Sequence, residues 1–383
     1  MLKCESLLGV TMAGEWLAYG ELGLAAIGFT PFAIHRLSCG SWINDKMECP
    51  KELSGHEITI LLPVWNEELI IEKKLSNLAK QGFRAHLLVI DSASSDSTLE
   101  KTKTWLEDFP DSFESWRIIP MVERKGKTTA VALAIDELSD FDGLIVMTDA
   151  DATMMPGALE RVNRWFSNPQ VGAVGGTPSR EGDLAGENQH RAIYNNLRVG
   201  ESAYDSTPFL EGSLIAWRSG LVSSSDLYLK SNADDAQIAT AARLNGLRAI
   251  QDPELLFSDQ MPLTAKGQRR QKVRRAQGLI RLLARKRKFW FSKRQGRFAK
   301  ILRMNAWMHI LSPLAISGAA VLAVMRNVAY LPESSLMASL SALEVYCLVS
   351  WLLARSNRSI FGTRTAGVIL CGLENLLSAL VLA

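Results

Sequence analysis

At 383 residues the chain has room for one large domain or two ordinary ones. Its five cysteines (Cys4, Cys39, Cys49, Cys347 and Cys371) are odd in number, scattered and without a C-x-x-C, which excludes a zinc-finger site and a disulfide framework. The formal charge of +3 hides an asymmetry: residues 266–303 hold sixteen Lys or Arg and no Asp or Glu, which leaves the remainder at −13. Such a tract is either a nucleic-acid footprint or a segment lying on anionic lipid.

In chain order, the first predicted element is an apolar run over 16–34, close to the length of about 20 residues that a bilayer crossing needs. It has no basic leader and no clean small-residue cleavage site, so it reads as an anchor rather than a signal peptide. A polar linker over 38–55 follows, and then strands and helices alternate, the signature of a parallel α/β sheet. Strands are predicted over 58–62, 85–90, 116–119, 144–147 and 171–175. Helices are predicted over 69–80, from Ser97 or Thr98 to 109, over 128–138, after Pro156-Gly157 and over 236–244.

The fourth strand runs through Leu144, Ile145, Val146 and Met147 and ends on two aspartates one residue apart, Asp149 and Asp151. Carboxylates at the end of such a strand point into the crevice where open α/β sheets bind ligands. Two hard oxygen ligands at this spacing suit Mg²⁺ or Mn²⁺ clamping a substrate diphosphate. The other strand ends also carry polar groups. Asp91 is placed to hydrogen-bond a base or ribose, or only to cap a turn. Lys127 beside Gly126 is placed to reach a phosphate, or only to sit solvated in a first helical turn.

PVWNEE, IDSASSDST, RKGK and TDADA, in this order and at these intervals, resemble the nucleotide-sugar half of a family 2 glycosyltransferase. The resemblance covers roughly 58–278. It implies the type A glycosyltransferase fold, a Rossmann-like α/β sheet, and transfer from a nucleotide sugar, by resemblance UDP-linked. It places Pro63, Glu67, Asp91, Lys127, Asp149 and Asp151 at the nucleotide sugar, with Asp149 and Asp151 also holding Mg or Mn. Gly212 and Ser213 resemble the acceptor segment. Asp235, with Asp234 second, resembles the acid that serves as general base, a role that suits a carboxylate whose pKa a neighbouring acid raises. The bland reading of this acid pair is a helix start favoured by the dipole. Two departures show: Ser92 stands where many relatives carry a second acid, and Arg275 replaces tryptophan in the Q-x-x-R-W motif begun by Gln271 and Arg274. The motif implies that Gln271 and Arg274 cover the nucleotide diphosphate, and Arg275 the acceptor end.

Beyond the motif, Ala276, Leu279, Ile280 and Leu283 form an apolar stripe opposite Lys and Arg, an interfacial amphipathic helix. A further apolar run follows at 307–325, which turns the basic tract toward membrane lipid and away from nucleic acid. Two more runs cover 336–354 and 366–383. Glu21, Glu344 and Glu374 lie inside these runs and read as polar contacts between spans. Lys and Arg mark cytoplasmic loops. His35, Arg36, Lys46 and Lys51, the basic tract, and Arg355, Arg358 and Arg364 share one side if 35–306 is cytoplasmic and the loop from Arg326 to 335 is outside.

The expected organisation is an anchor over 1–35, a linker over 36–56, a catalytic domain over 57–265, an interfacial segment over 266–306 and three spans over 307–383. The expected function is inverting sugar transfer to a membrane-presented, lipid-linked acceptor. A processive polysaccharide synthase, a polyprenyl-phosphate glycosyltransferase and a non-enzymatic membrane scaffold are the alternatives.

Overall fold

A computed structural model describes residues 2–179, 185–259, 264–330, 332, 334–356, 358, 360 and 362–382, with side chains left out at 2–11, 185–191 and 265. The chain forms two units: Ser38–Gln268 with Arg285–Leu302, and Met1–Leu37 with Arg269–Ala284 and Arg303–Ala383.

The first of these is built on an eight-stranded sheet of β1 (Ile58–Val64), β2 (His86–Asp91), β3 (Trp116–Pro120), β4 (Leu144–Thr148), β5 (Ala152–Met154), β6 (Val171–Pro178), β7 (Leu214–Arg218) and β8 (Arg248–Asp259). The order is β3-β2-β1-β4-β7-β6-β8-β5. β1 to β4 are parallel as the alternation of elements predicts. β6 and β8 are also parallel, but two strands correct the expectation of a parallel sheet: β7 is antiparallel to both β4 and β6, and β5 to β8. β5, β7 and β8 were not among the predicted strands, so the alternation of elements could not show their direction.

Alternate residues of the central strands feed two cores. Ile60, Leu62 and Val64 join Leu87, Val89, Leu144 and Val146, and are covered by Ile71, Leu75, Leu106, Leu159 and Trp165 from the helices Ile71–Ala79, Thr98–Asp108 and Ala158–Trp165. Leu61, Leu88, Ile90, Ile145 and Met147 pack on the other face against Val131, Ala134, Ile238 and Ala242, from the helices Lys127–Glu137 and Asp234–Leu244. The register pairs Val64 with Asp91, Asp91 with Pro120 and Leu61 with Met147. The carboxyl ends of β1 to β4 therefore lie along one edge, where such sheets bind ligands.

Among the described residues four helical stretches are long and apolar enough to cross a membrane: Met12–Asp45, Lys293–Ala329, Ser335–Arg355 and Arg364–Val381. Within the second unit their glutamates have partners. Arg326 is 1% exposed. Its Nε donates to Glu21 at 3.2 Å, its Nη2 to Glu344, and its Nη1 to Ser341 Oγ at 3.1 Å. Glu374 accepts from Arg269 and from Trp351 Nε1, each at 2.9 Å. Arg326 thus lies in the helix Ser312–Ala329 and not in the loop to which sequence assigned it. A cation needed between two apolar-segment carboxylates cannot be told by composition from a loop charge. Arg326→Met leaves the buried Glu21 and the half-buried Glu344 without their counter-ion, and is expected to destabilise this unit by about 3–5 kcal/mol. Thermal unfolding in detergent, where Arg326→Lys should lose much less, checks it.

Candidate functional site

The loops after β1 and β2 lace together. Asn66 adopts φ 54 and Ala93 φ 59. The Asn66 amide donates to Ser94 Oγ at 3.0 Å and its Oδ1 accepts from Ser95 N at 2.9 Å. Glu67 N donates to Thr98 Oγ1 at 2.7 Å, which leaves the half-buried Glu67 carboxylate at the strand edge. Asp91 is buried, and its carboxylate accepts from the amide and hydroxyl of Ser94. It therefore closes its own turn. Helix Thr98–Asp108 is capped by Asp96, whose Oδ1 accepts from Thr98 N at 3.0 Å, and not by Ser97, whose side chain makes no capping bond. Pro63 is buried inside β1. The exposed Trp65 ring carries the Arg124 guanidinium 3.2 Å from its centroid.

Lys127 begins its helix directly after Gly126, whose φ of +90° an L side chain rarely adopts. Its Nζ sits 2.6 Å from Asp149 Oδ1 and 3.5 Å from Asp234 Oδ2. Ser213 Oγ donates to Asp149 Oδ2 at 3.3 Å. A Cβ on Gly212 would lie 3.1 Å from Asp235 Oδ2, so a larger residue here would press on that carboxylate. Asp235 Oδ1 accepts from Ala236 N at 2.7 Å, which fixes the carboxylate at the helix start. Arg198 pairs with Glu211 in the same segment. The structure thus gathers Lys127, Asp149, Gly212, Ser213, Asp234 and Asp235 around the end of β4. Gln271, Arg274 and Arg275 belong to the other unit, on the helix Ala265–Arg285.

The electrostatics of this edge are those of crowded acids. Burial, then Asp151 and Asp149, push Glu67 up to about 7. Burial, with Asp149 and Asp259 beside it, raises Asp151. Burial and the adjacent Asp234 push Asp235 up to about 7, against the pull of Lys127. Burial works against the Lys127 charge, but Asp149 and Asp234 outweigh it and raise its pKa. Each acid of the set would be relieved by an added cation.

Sequence reasoning passed over three groups. Asp259 ends β8 opposite Ala152, and its field reaches Asp151. Arg198 faces Glu211 from the helix Ala185–Tyr204, which was not predicted. Lys74 is 3% exposed and donates to Thr148 Oγ1 at 2.8 Å and to the Ala152 carbonyl. A signal for Lys74 was present: it stands on the apolar stripe of Ile71, Leu75 and Leu78.

Residues 59–223 match the family model described as Glycosyl transferase family 2. Among solved structures, a mannosyltransferase from Pyrobaculum calidifontis, in complex with GDP-Man and Mn²⁺, is 27% identical with a TM-score of 0.77, over 95% of this chain and 98% of that one. TarS from S. aureus is 15% identical (TM-score 0.42; 70% of this chain, 88% of that one). Glucosyl-3-phosphoglycerate synthase from Mycobacterium tuberculosis, with Mn²⁺, UDP and phosphoglyceric acid, is 18% identical (TM-score 0.41; 64% and 82%). No curated protein matches the sequence. The family match spans β1 to β7 and the mannosyltransferase likeness spans nearly the whole chain, so the sheet edge described above belongs to a type A glycosyltransferase domain and the chain is a glycosyltransferase.

Proposed function

We propose that the chain is a membrane-bound, metal-dependent, inverting glycosyltransferase that moves a sugar from a nucleoside diphosphate sugar to a hydroxyl of an anionic, lipid-borne acceptor. The observation that carries this reading is Lys127, whose ammonium joins Asp149 at the end of β4 to Asp234 at the start of the next acidic motif. Donor-side and acceptor-side acids thereby share one cluster.

In this reading Glu67 and Asp91 line the base and ribose, Asp91 through the turn it closes, and Pro63 shapes the strand beneath them. Lys127 reaches a phosphate. Asp149 and Asp151 hold Mg or Mn. The donor set fits such an ion: among the described residues no group of three or more His, Cys, Asp or Glu is gathered for a metal, but these cations keep their waters and need only one or two protein carboxylates beside a diphosphate. When bound, the ion neutralises the departing diphosphate. Asp235 takes the acceptor hydroxyl proton as that oxygen attacks the anomeric carbon and the bond to the diphosphate oxygen breaks. Attack from the opposite face inverts the centre with no covalent enzyme intermediate. Gly212 and Ser213 shape the acceptor side.

For the donor, the GDP-Man bound by the full-length relative favours a GDP-sugar over the UDP-sugar expected from the motifs. For the acceptor, Arg275 in place of a stacking tryptophan suits an anionic group. Gln271 and Arg274 are proposed to close over the diphosphate. Membrane attachment rests on the four apolar helices and the basic tract. Cytoplasmic orientation of the catalytic unit rests on the placing of Lys and Arg. The structural place of Arg326 removes a misplaced positive charge from the outer loop of that scheme.

The test uses purified full chain in vesicles of bacterial lipid, Mn²⁺ and a panel of labelled GDP-Man, UDP-glucose and UDP-N-acetylglucosamine. A short product extractable into organic solvent from GDP-Man is expected. A long water-soluble polymer, or label accepted from none of the three, overturns the proposal.

A further inference from the structure

The helix Ile71–Ala79 carries a lysine on the face that should be apolar. Ile71, Lys74, Leu75 and Leu78 are all buried. A buried ammonium costs several kcal/mol unless hydrogen bonds satisfy it. Here its partners are Thr148 Oγ1 at 2.8 Å and the carbonyl of Ala152, one on each side of the segment Asp149-Ala150-Asp151. Two further side chains, one on the helix and one just past its end, hold the strand beyond. Asn77 Nδ2 donates to the Met154 carbonyl at 2.9 Å, and Met154 N donates back to Asn77 Oδ1 at 2.9 Å. Gln81 Nε2 donates to the same carbonyl at 3.3 Å.

Asn77 and Gln81 bind a strand edge, which is a structural task. Lys74 differs because its two bonds bridge the turn that carries both aspartates. The Thr148 hydroxyl that accepts from Lys74 also donates to the Ser213 carbonyl at 2.9 Å, so the bridge extends to the segment whose Ser213 Oγ binds Asp149.

We infer that Lys74 is a positioning residue that clamps Thr148 to Ala152, so that Asp149 and Asp151 stand in the arrangement a divalent cation and diphosphate require before either arrives. The inference deepens the proposed metal-dependent reaction and rests on it for its functional consequence. The geometric part stands alone. A lysine suits the task because it reaches two acceptors at once; burial lowers its pKa to about 7, against the pull of Asp149 and Asp151 that favours its charged form.

The charge and the clamp have opposite effects on a metal, which makes the sign of the result decisive. Removing a nearby positive charge should tighten cation binding. Losing the clamp should weaken it, because two acceptors are left unpaired and the turn is freed. Three readouts are taken on the full chain with Lys74→Met: hydrogen exchange of the amides at 149–153 without metal, Mn²⁺ affinity by electron paramagnetic resonance with GDP present, and the thermal midpoint. Amide exchange about tenfold faster and Mn²⁺ affinity about tenfold weaker are expected. The midpoint should fall modestly, because two acceptors are left unpaired while an apolar side chain of similar size relieves the burial of an ammonium. Lys74→Gln, which retains one bond without the charge, should recover part of both losses. Wild-type exchange in Lys74→Met, or Mn²⁺ bound as tightly as in wild type, overturns the inference. If wild-type protein itself binds no Mn²⁺, the metal reading fails while the exchange measurement still judges the clamp. Should Lys74→Met not fold, Thr148→Val removes one of the two acceptors, and unchanged exchange at 149–153 in that variant overturns the inference equally.

Discussion

Asp151→Ala is expected to lower turnover by about 10³-fold or more, the scale of losing a cation that stabilises several kcal/mol of charge on a departing diphosphate. A chelator should do the same to the wild type, and donor binding measured by calorimetry should weaken in both. Stability should not follow. The Asp151 carboxyl is held above its ordinary pKa by burial, then by Asp149 and Asp259, so its ionised form is disfavoured in the folded chain. A group with a raised folded pKa contributes stability below its unfolded pKa, which is lost as pH rises through the folded value. At neutral pH its removal is therefore neutral or slightly stabilising. A lost activity with an unchanged or raised thermal midpoint marks a functional acid. Near-normal turnover of Asp151→Ala in the presence of chelator would remove the metal from the mechanism altogether. Asp149→Ala should be less clean, because Lys127 loses the partner 2.6 Å away and Ser213 loses its acceptor.

The legible part of the fold was the part where apolar runs end in polar motifs. β1 to β4 are each followed at the ligand edge by a group with recognisable chemistry, and their parallel direction follows from the intervening helices. β7 and β8 were not predicted as strands: β7 is short and ends in Arg218, and β8 interrupts its apolar residues with Gln251, Asp252, Pro253 and Glu254. At the site, Asp149, Asp234 and Lys127 are drawn together in space across more than a hundred residues of sequence. Family likeness anticipated these residues, but spacing alone carried none of that proximity. Asp91 shows the opposite limit. Its carboxylate was legible as a polar group at a strand end, yet the bonds from Ser94 show that it first serves its own turn. Lys74 and Arg326 illustrate one blind spot twice. A charged residue in an apolar stripe reads from composition as surface or loop, whereas burial shows it bridging partners distant in sequence.

Asp235→Asn keeps the shape of the side chain but cannot accept a proton, and its kcat is expected to fall by about 10²–10⁴-fold. Donor affinity should survive, because the base acts on the acceptor. The pH profile supplies the independent check. Burial and Asp234 push the Asp235 pKa up to about 7, so wild-type kcat/KM should fall with a slope of one as pH drops through that value, where the base becomes protonated. The residual rate of Asp235→Asn should lack this limb. Stability runs the other way, since the folded pKa exceeds the unfolded one. The contribution of the protonated acid is fully present below about pH 4 and lost as pH rises through about 7. At pH 8 the inactive Asn variant should thus be more stable than wild type, by on the order of 1–3 kcal/mol. The measurement also discriminates between acceptors. A hydroxyl needs its proton taken, whereas an ionised lipid phosphate attacks without a base. Full activity of Asp235→Asn with polyprenyl phosphate would therefore make a phosphate oxygen the nucleophile and displace the hydroxyl acceptor proposed above. A variant that loses donor affinity but keeps its rate would instead move Asp235 into the nucleotide site.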